Sequence, residues 1–555
     1  MTRQEAQRRY RQSAQGRTTR KANRKSEAGK AERRRYKETL TTKRMLKHTF
    51  TGVDGEGWTD PNGTHHYMTL TIGTRTLYTG KPLTAEQCLG FIADTPVVPN
   101  RYLVGYFFDY DVTMILRDMA QDDPELTRRL FNVDRKFGSL VWWHGFGIEY
   151  LPKKRFTVKR WTDDNSSKSV TVHDVQGFYQ CSFVDALTKF KIGTPDERAS
   201  IAAMKAQRSD FTAEQAPEII AYSEHECKLL AQLVASLRDA THHAGVNASP
   251  YEGPGNMARR ALEKYYGKEK HALGMSRTPL SVHTIAGKAY YGGRFETFAH
   301  GPIKGTVYEY DLKSAYPAAM LQLPCLIHGI WKRGIHSPIY IAKAEWNLPF
   351  KPSSAMPFPV RRKDGSVYYP SRGEGWYWSY EIEPIRTLYS EPGDSVETGG
   401  IEVHSIGAWS YINNCGCQPF DWVRDIFNER LAMEAESKGS GIALKLMLNT
   451  LYGKMAQQRP VPGTFFNMVY ASMITSITRA KIYQLYLNGA RVIMFATDAV
   501  FTLGPIDGLK TGDHLGDWEL ANTFDDLTIF QPGVYFDGDQ ADDIVQNVSD
   551  HFHDM

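Results

Sequence analysis

The sequence predicts an α/β protein of more than one domain. Three observations predict it. The chain has 555 residues, 41% of them hydrophobic, enough for two or more cores. Apolar runs that read as strands end in a carboxylate and give way to a helix or turn, at 104–111 and again at 307–317. Between them, residues 240–287 are rich in Gly, Pro and His, with one short helical stretch from Asn256 to Tyr266, and a domain junction is expected there.

Charge is distributed unevenly. The net charge is +5, but residues 1–47 hold 17 Lys+Arg against four Glu, leaving 50 basic and 58 acidic residues in the rest. An acidic body with a basic tail suits a protein that binds cations in acidic clusters and phosphates with its tail. No apolar run approaches the length of a membrane span and no signal peptide is visible, so a soluble protein is expected. The six cysteines (Cys88, Cys181, Cys227, Cys325, Cys415, Cys417) show no framework spacing. Cys415-Gly-Cys417 offers half a zinc site, but no CxxC or HxxxH partner is evident. Reduced thiols in a cytosol-like compartment are expected.

The tail repeats with a period of 13: Tyr10–Arg17 recurs at Asn23–Lys30 and more weakly at Tyr36–Lys43. It has almost no apolar face and cannot fold alone. It reads as a nucleic-acid arm with salt-sensitive binding, the alternatives being a solvated or a targeting segment.

Globular sequence begins near residue 49. Thr51–Trp58 places Asp54 and Glu56 two apart, so on a strand both carboxylates face one side and can offer oxygens to a metal; the alternative is a polar Gly-rich turn. At 104–111 an acid closes a strand and opens a helix. Asp109 and Asp111 are expected to share a face, with Asp111 the better candidate from its place before the helix. Residues 170–188 read as a strand and a helix around Asp174. Ala216 to Asp239 reads as one long helix with Tyr222 and Glu226 at i and i+4.

Beyond the junction, Ala289–Arg294 carries paired glycines, Gly292 and Gly293, that let a backbone approach another chain closely. A short strand then delivers Asp311 into a turn at Ser314–Pro317, an arrangement suited to a metal ion carrying a triphosphate, with the Tyr316 ring beside it. Residues 339–344, 367–369 and 376–380 read as further strands. Helix 420–436 brings Arg430 forward, toward phosphates or toward solvent. Residues 441–455 read as a helix closed at Gly453, with Lys445, Asn449 and Tyr452 on one face and Leu444, Leu448 and Leu451 on another. Arg491–Leu503 reads as a buried strand interrupted by Thr497 and Asp498, or as a hairpin turning there. A carboxylate in so apolar a run calls for a partner, and a divalent cation would serve.

DLKSAYP (Asp311–Pro317), KLMLNTLYGK (Lys445–Lys454) and ATDAV (Ala496–Val500), in this order, resemble motifs A, B and C of family B DNA polymerases. The order DxE, aromatic-x-Asp and YxxxE upstream resembles the three exonuclease motifs of the same family, and Tyr290-x-Gly-Gly293 resembles its template-holding YxGG element. The resemblance implies a ribonuclease-H-like 3′→5′ exonuclease domain followed by a right-hand polymerase of palm, fingers and reduced thumb. It divides the chain into a tail (1–48), an exonuclease domain (49–245), a junction (246–288) and a polymerase domain (289–555). The last would hold a palm insertion at about 330–420, fingers at about 420–455, further palm at 465–520 and a thumb remnant at 536–555.

The resemblance also implies roles. Asp311 and Asp498 would be the polymerase metal ligands. Ser314, Tyr316, Lys445, Asn449, Tyr452 and Arg430 would bind nucleotide, and Tyr290, Gly292, Gly293 and Tyr535 would bind DNA. Asp54, Glu56 and Asp111 would hold the exonuclease metals, with Glu226 as the fourth catalytic acid and Lys205 as the auxiliary lysine. Two Mg²⁺ at each centre are implied, with Mn²⁺ able to substitute. The implied partners are template and primer DNA and dNTPs, for a monomer in the cytoplasm of a host cell, with no membrane association. The long palm insertion resembles that of the protein-primed branch found in small bacteriophages, adenoviruses and linear plasmids, which implies a terminal protein. An RNA-primed or primer-independent polymerase is the alternative, and an inactive DNA-binding scaffold a further one.

Five departures stand against the pattern. Phe107 replaces Asn and Glu226 replaces Asp in the exonuclease motifs, which puts the cleavage rate in question. Ala496 replaces the first acid of the third polymerase motif, and slower synthesis is expected. Gly533 replaces Lys in the KxY element, and fewer than 20 residues separate Tyr452 from the next helix (Ala471–Leu487), leaving little room for the branch's processivity hairpin.

Overall fold

The computed structural model describes residues 47–60, 62–131, 139–161, 167–208, 211–350, 354–389, 399–436, 441–458 and 461–538. The basic repeats and almost all of the expected thumb remnant lie outside them. The chain forms two compact units, the first running to Asn256 and the second starting at Met257.

In the first unit, eight strands form one sheet: β1 (Thr49–Thr59), β2 (His65–Ile72), β3 (Arg75–Tyr78), β4 (Arg101–Gly105), β5 (Val141–Trp143), β6 (Phe146–Leu151), β7 (Arg155–Trp161) and β8 (Ser167–Asp174). Their order is β3-β2-β1-β4-β8-β7-β6-β5. β1, β4 and β8 run parallel, and the outer pairs are antiparallel. Crossovers include α1 (Ala85–Ala93) and α2 (Asp109–Asp122), which pack Leu89, Ile92, Val112 and Ile115 into the core. Next come α3 (Phe183–Lys189), α4 (Pro195–Ala206) and α5 (Ala216–His243). Thr194 and Glu197 cap α4 reciprocally, with Pro195 in its first turn. Gly52 is required where α5 crosses β1, because any Cβ there would enter the Cys227 backbone. That close approach brings Glu226 against β1.

In the second unit, the stretch read as irregular junction is more helical than expected. Lys268–Arg277 (α6) and Leu280–Lys288 (α7) are both helices, since His271, Gly274, Val282 and Ala286 are buried. The central antiparallel sheet uses β9 (Arg294–Thr297), β11 (Val307–Leu312), β18 (Val492–Thr497), β19 (Ala499–Leu503) and β20 (Trp518–Phe524), ordered β20-β11-β19-β18-β9. Short β10 (Gly301–Pro302) pairs with β21 (Leu527–Gln531), which pairs with β22 (Val534–Asp537). After β11 comes the short helix α8 (Ala315–Met320).

The stretch expected as a palm insertion, at about 330–420, contains a sheet of its own. β12 (Ile330–Arg333), β13 (Tyr340–Asn347), β16 (Arg372–Trp378) and β17 (Ile401–Ile412) are ordered β12-β17-β13-β16. A separate two-stranded ribbon joins β14 (Val360–Arg361) to β15 (Val367–Tyr368). Tyr380 belongs to helix α9 (Ser379–Leu388), not to a strand, because Ile382 and Ile385 supply a helical apolar face.

Helices α10 (Trp422–Glu436), α11 (Ile442–Ala456) and α12 (Met468–Leu487) complete the unit. α11 does not stop at Gly453. The chain stays helical through Ala456 because Met455 is buried, which offsets the ~1 kcal/mol a mid-helix glycine costs. α12 is buried on almost every side and begins where the Asn467 side chain accepts from the Val469 and Tyr470 amides. No helix among the described residues is long and apolar enough to cross a membrane.

Candidate active site

Two carboxylate centres stand out, one in each unit. In the first, Asp54 and Glu56 project from one face of β1, and α5 brings Glu226 to them. Their ligand oxygens lie within 4.8 Å of one another. Asp111, in the first turn of α2, stands outside that group but borders it: it accepts from the Tyr67 hydroxyl at 2.8 Å, and a Cβ at Gly55 would lie 2.7 Å from its Oδ1.

Asp109 and Asp111 do not share a face. Both lie within helix α2, where residues two apart point in different directions. Asp109 therefore turns away, accepting from the Tyr150 hydroxyl and the Lys153 amide. Asp174 is a buttress: it accepts from the Phe107, Phe108 and Gln176 amides at 3.3, 3.0 and 3.0 Å and so fixes the turn that starts α2. Phe107 holds φ +60° in that turn, a conformation Asn adopts more readily, and its ring is exposed.

Three side chains from α4, α5 and the loop after α4 close on the acids. Lys205 Nζ donates to Glu226 Oε1 at 2.7 Å, and the Tyr222 hydroxyl donates to Glu226 Oε2. Arg208, which sequence reasoning missed, donates to Glu56 and lies 4.0 Å from Asp54 and 3.8 Å from Glu226. Its only signal in the sequence is its place three residues after Lys205.

Burial, reinforced by Glu226 and Glu56, pushes the Asp54 carboxyl well above its usual range. Burial raises Glu56 to about 7 and Asp111 to about 8. Burial opposes the charge on Arg208, but Glu56 and Asp54 outweigh it and hold the guanidinium protonated. Asp54 Oδ2 is buried without a hydrogen-bond partner. An orphaned oxygen among mutually repelling acids is what a bound divalent cation would satisfy, so the donor set fits one.

In the second unit, the interrupted strand is a hairpin: β18 and β19 pair antiparallel, with Ala496 opposite Ala499 and Asp498 in the turn. The hairpin places the acid rather than excluding it. β19 pairs with β11 so that Ala499 faces Asp311, and the Leu312 amide donates to the Asp498 carbonyl at 3.1 Å. The acids read from separate motifs thus meet across one ladder. Thr497 takes φ +61°, costly for a β-branched residue, and its hydroxyl lies 2.7 Å from Asp498 Oδ1.

Burial, then Asp498 and Glu519, raise Asp311 to about 7. Glu519 is a third acid that sequence reasoning did not single out. It sits opposite Asp311 on β20, and Lys313 bridges it at 2.8 Å to Asp513 at 2.7 Å. Raised pKa and clustered acids again fit a cation held by Asp311 and Asp498.

Around this centre the expected side chains gather unevenly. Ser314 adopts φ +49° and starts α8. The Tyr316 ring lies 4.2 Å from the Tyr452 ring. Lys445 is exposed and Asn449 and Tyr452 half-buried on one side of α11, flanked by the buried Leu444, Leu448 and Leu451. Arg430 is half-buried, its stem close to Gly441 at the start of α11. A Cβ on Gly293 would lie 2.8 Å from the Tyr316 hydroxyl and 3.0 Å from Thr497 Cγ2, so this glycine is where the YxGG segment touches both motifs.

The segment is anchored from below. Gly292 has φ +85°, and its carbonyl accepts from Arg479 at 2.6 Å. Buried Arg479 also pairs with Glu381 through bonds of 2.9 and 2.8 Å. The Tyr290 carbonyl accepts from Arg361 at 2.8 Å. Tyr535 packs on Phe501 and Phe524, and its hydroxyl donates to Glu309 at 3.3 Å.

A family profile described as DNA polymerase type B, organellar and viral, matches residues 188–464. The chain belongs to that family. Polymerases of the family use divalent metal ions. Among curated relatives, a DNA polymerase of Acidianus bottle-shaped virus (isolate Italy/Pozzuoli) is 25% identical over 253 residues, covering 43% of this chain and 37% of that protein. A primer-independent DNA polymerase PolB of Escherichia coli is 25% identical over 281 residues, covering 44% of this chain and 32% of the relative. The match thus spans about a third of each relative's length.

Among solved structures, Phi29 DNA polymerase complexed with primer-template DNA aligns at a TM-score of 0.58 and 14% identity, over 88% of this chain and 86% of that one. An orthorhombic crystal form of the same polymerase gives 0.59. At this identity the likeness concerns the fold. The type B polymerase chain has a ribonuclease-H-like unit followed by a right-hand polymerase unit.

Proposed function

We propose that this protein is a template-directed DNA polymerase with 3′→5′ exonuclease activity, replicating the genome of a phage or linear mobile element. The observation that carries the proposal is the pairing of β11 with β19, which sets Asp311 beside the turn holding Asp498. Asp311 and Asp498 would hold two Mg²⁺, which when bound supply a lowered pKa for the primer 3′-hydroxyl and charge neutralisation for departing pyrophosphate. Lys445 neutralises the triphosphate. Tyr316 supports the sugar and excludes a 2′-hydroxyl, so the product is DNA. Tyr452 and Asn449 line the nascent pair, and Tyr290 with the paired glycines guides the template. Sequence is read by base pairing, and the protein contributes shape and backbone contacts.

In the first unit, Asp54, Glu56, Asp111 and Glu226 are proposed to hold the excision metals, two by family resemblance, with Lys205 and Tyr222 orienting Glu226. The longer side chain of Glu226 is accommodated: it reaches Asp54 and Glu56 closely enough for one ion to be shared. Phi29 DNA polymerase has been crystallised with primer-template DNA, and a like substrate is proposed here.

Priming by a terminal protein is the preferred reading, supported by the four-stranded insertion sheet in the palm. A primer-independent start is the second reading, favoured by the named property of the Escherichia coli relative. The test is extension and excision on a labelled primer–template with Mg²⁺, then synthesis on template with dNTPs alone. Extension with nucleotide addition supports the polymerase. Products without any primer or protein select the second reading, and no extension in any arm rejects the proposal.

A further inference from the structure

Cys415 and Cys417 do have partners, and they are of the kind a metal needs. The sequence contains no CxxC or HxxxH to complete them. The complement is Cys325-x-x-His328, some 90 residues earlier in the chain. Ligand atoms of Cys325, His328, Cys415 and Cys417 all lie within 4.8 Å of one another. His328 Nδ1 is 3.6 Å from Cys325 Sγ and 3.3 Å from Cys417 Sγ. Zn–N and Zn–S bond lengths place nitrogen and sulfur ligands of a tetrahedral zinc about 3.5 Å apart. All the cysteines are free thiols.

From this geometry we propose a structural zinc site of Cys₃His type at the root of the palm insertion. Three thiolates and one imidazole suit a soft, tetrahedral ion. Four protein ligands complete its coordination and leave no open position for substrate, so its role is to fasten chain, not to catalyse.

The loops that carry the ligands are held independently of any ion. The Tyr470 hydroxyl donates to the Pro324 carbonyl at 2.9 Å and accepts from the Leu326 amide at 3.3 Å. The Cys325 carbonyl accepts from the Tyr411 hydroxyl and from Asn413 Nδ2 at 3.3 Å. Asn413 Oδ1 accepts from the Cys415 amide at 2.9 Å. These bonds preorganise four donors around one point, as a built metal site requires.

The position explains what the ion would do. Ile330 of β12 pairs with Ile412 of β17. His328 lies two residues before the first, and Cys415 three residues after the second. The ion would therefore clamp the strands where the insertion leaves and rejoins the palm, close to the start of α10. This reading is independent of catalysis by the two carboxylate centres.

The experiment is metal analysis of the full-length protein after desalting, beside the variants Cys417→Ser and His328→Ala and the control Cys181→Ser. About one zinc per chain is expected in wild type and control, falling at least tenfold in the two variants. The carboxylate centres could also retain zinc, so Co²⁺ is added to metal-stripped wild type. A tetrahedral cobalt spectrum with thiolate charge transfer supports the site even if a variant fails to fold. Zinc content unchanged in folded Cys417→Ser overturns the proposal. So does a disulfide among Cys325, Cys415 and Cys417, or wild type that lacks zinc and gives no thiolate–cobalt band.

Discussion

The Arg208 guanidinium pairs with Glu56 at the centre of the first carboxylate cluster. It reaches Asp54 and Glu226 as well, and so supplies positive charge where a metal ion would. Arg208→Met should leave buried acids unpaired. The Arg208 side chain is 38% exposed, so the expected loss of stability without cation is on the order of 1–2 kcal/mol, below that of a fully buried pair. Added Mn²⁺ should restore most of it. Thermal melts with and without Mn²⁺ check this: the stabilisation by metal should be larger in the variant than in wild type.

Protons and cations compete for both centres. Glu56 rises from 4.5 to about 7, Asp111 from 3.8 to about 8 and Asp311 from 3.8 to about 7. The folded protein thus keeps protons that the unfolded chain has lost. Without cation, the stability these three groups contribute is fully present below their unfolded values and is lost as pH rises through about 7–8. Affinity for divalent cations should climb across the same interval, with protons released on binding. Calorimetric titration with Mn²⁺ at pH 6 and pH 8, in buffers of different ionisation enthalpy, reads both effects.

Arg479 and Glu381 form an ion pair that is 2% and 4% exposed. Arg479→Met alone should cost about 3–5 kcal/mol, because it strands a buried carboxylate. Arg479→Met with Glu381→Met should cost less than the single change. Urea unfolding of the two variants checks the order.

Gly293→Ala would push its methyl toward Tyr316 and Thr497. Tyr316 is proposed to support the incoming sugar, so the KM for dNTPs should rise about tenfold, with excision of single-stranded DNA unchanged. Steady-state extension and excision on separate substrates measure each.

What could be read in the sequence was what local chemistry fixes. β1 presents Asp54 and Glu56 together because strands alternate, and α11 sorts Lys445, Asn449 and Tyr452 from its leucines because helices repeat every 3.6 residues. The meeting of Asp311 with Asp498 was inferred from motif order, and it depends on strand pairing that no local window contains. Arg208 and Glu519 escaped notice because a lone charged residue carries no periodic signal. Cys325 and His328 escaped because their distance from Cys415 is bridged only by a folded sheet. The Asp109–Asp111 face was misread by applying strand alternation to residues that begin a helix.

The central claim is that Asp311 and Asp498 form one nucleotide-adding centre, separate from the acids on β1. Primer extension by Asp498→Asn, with excision of labelled single-stranded DNA measured on the same preparation, tests it most directly. Extension should fall by about 10³-fold while excision stays at the wild-type rate. Extension at the wild-type rate would contradict the assignment.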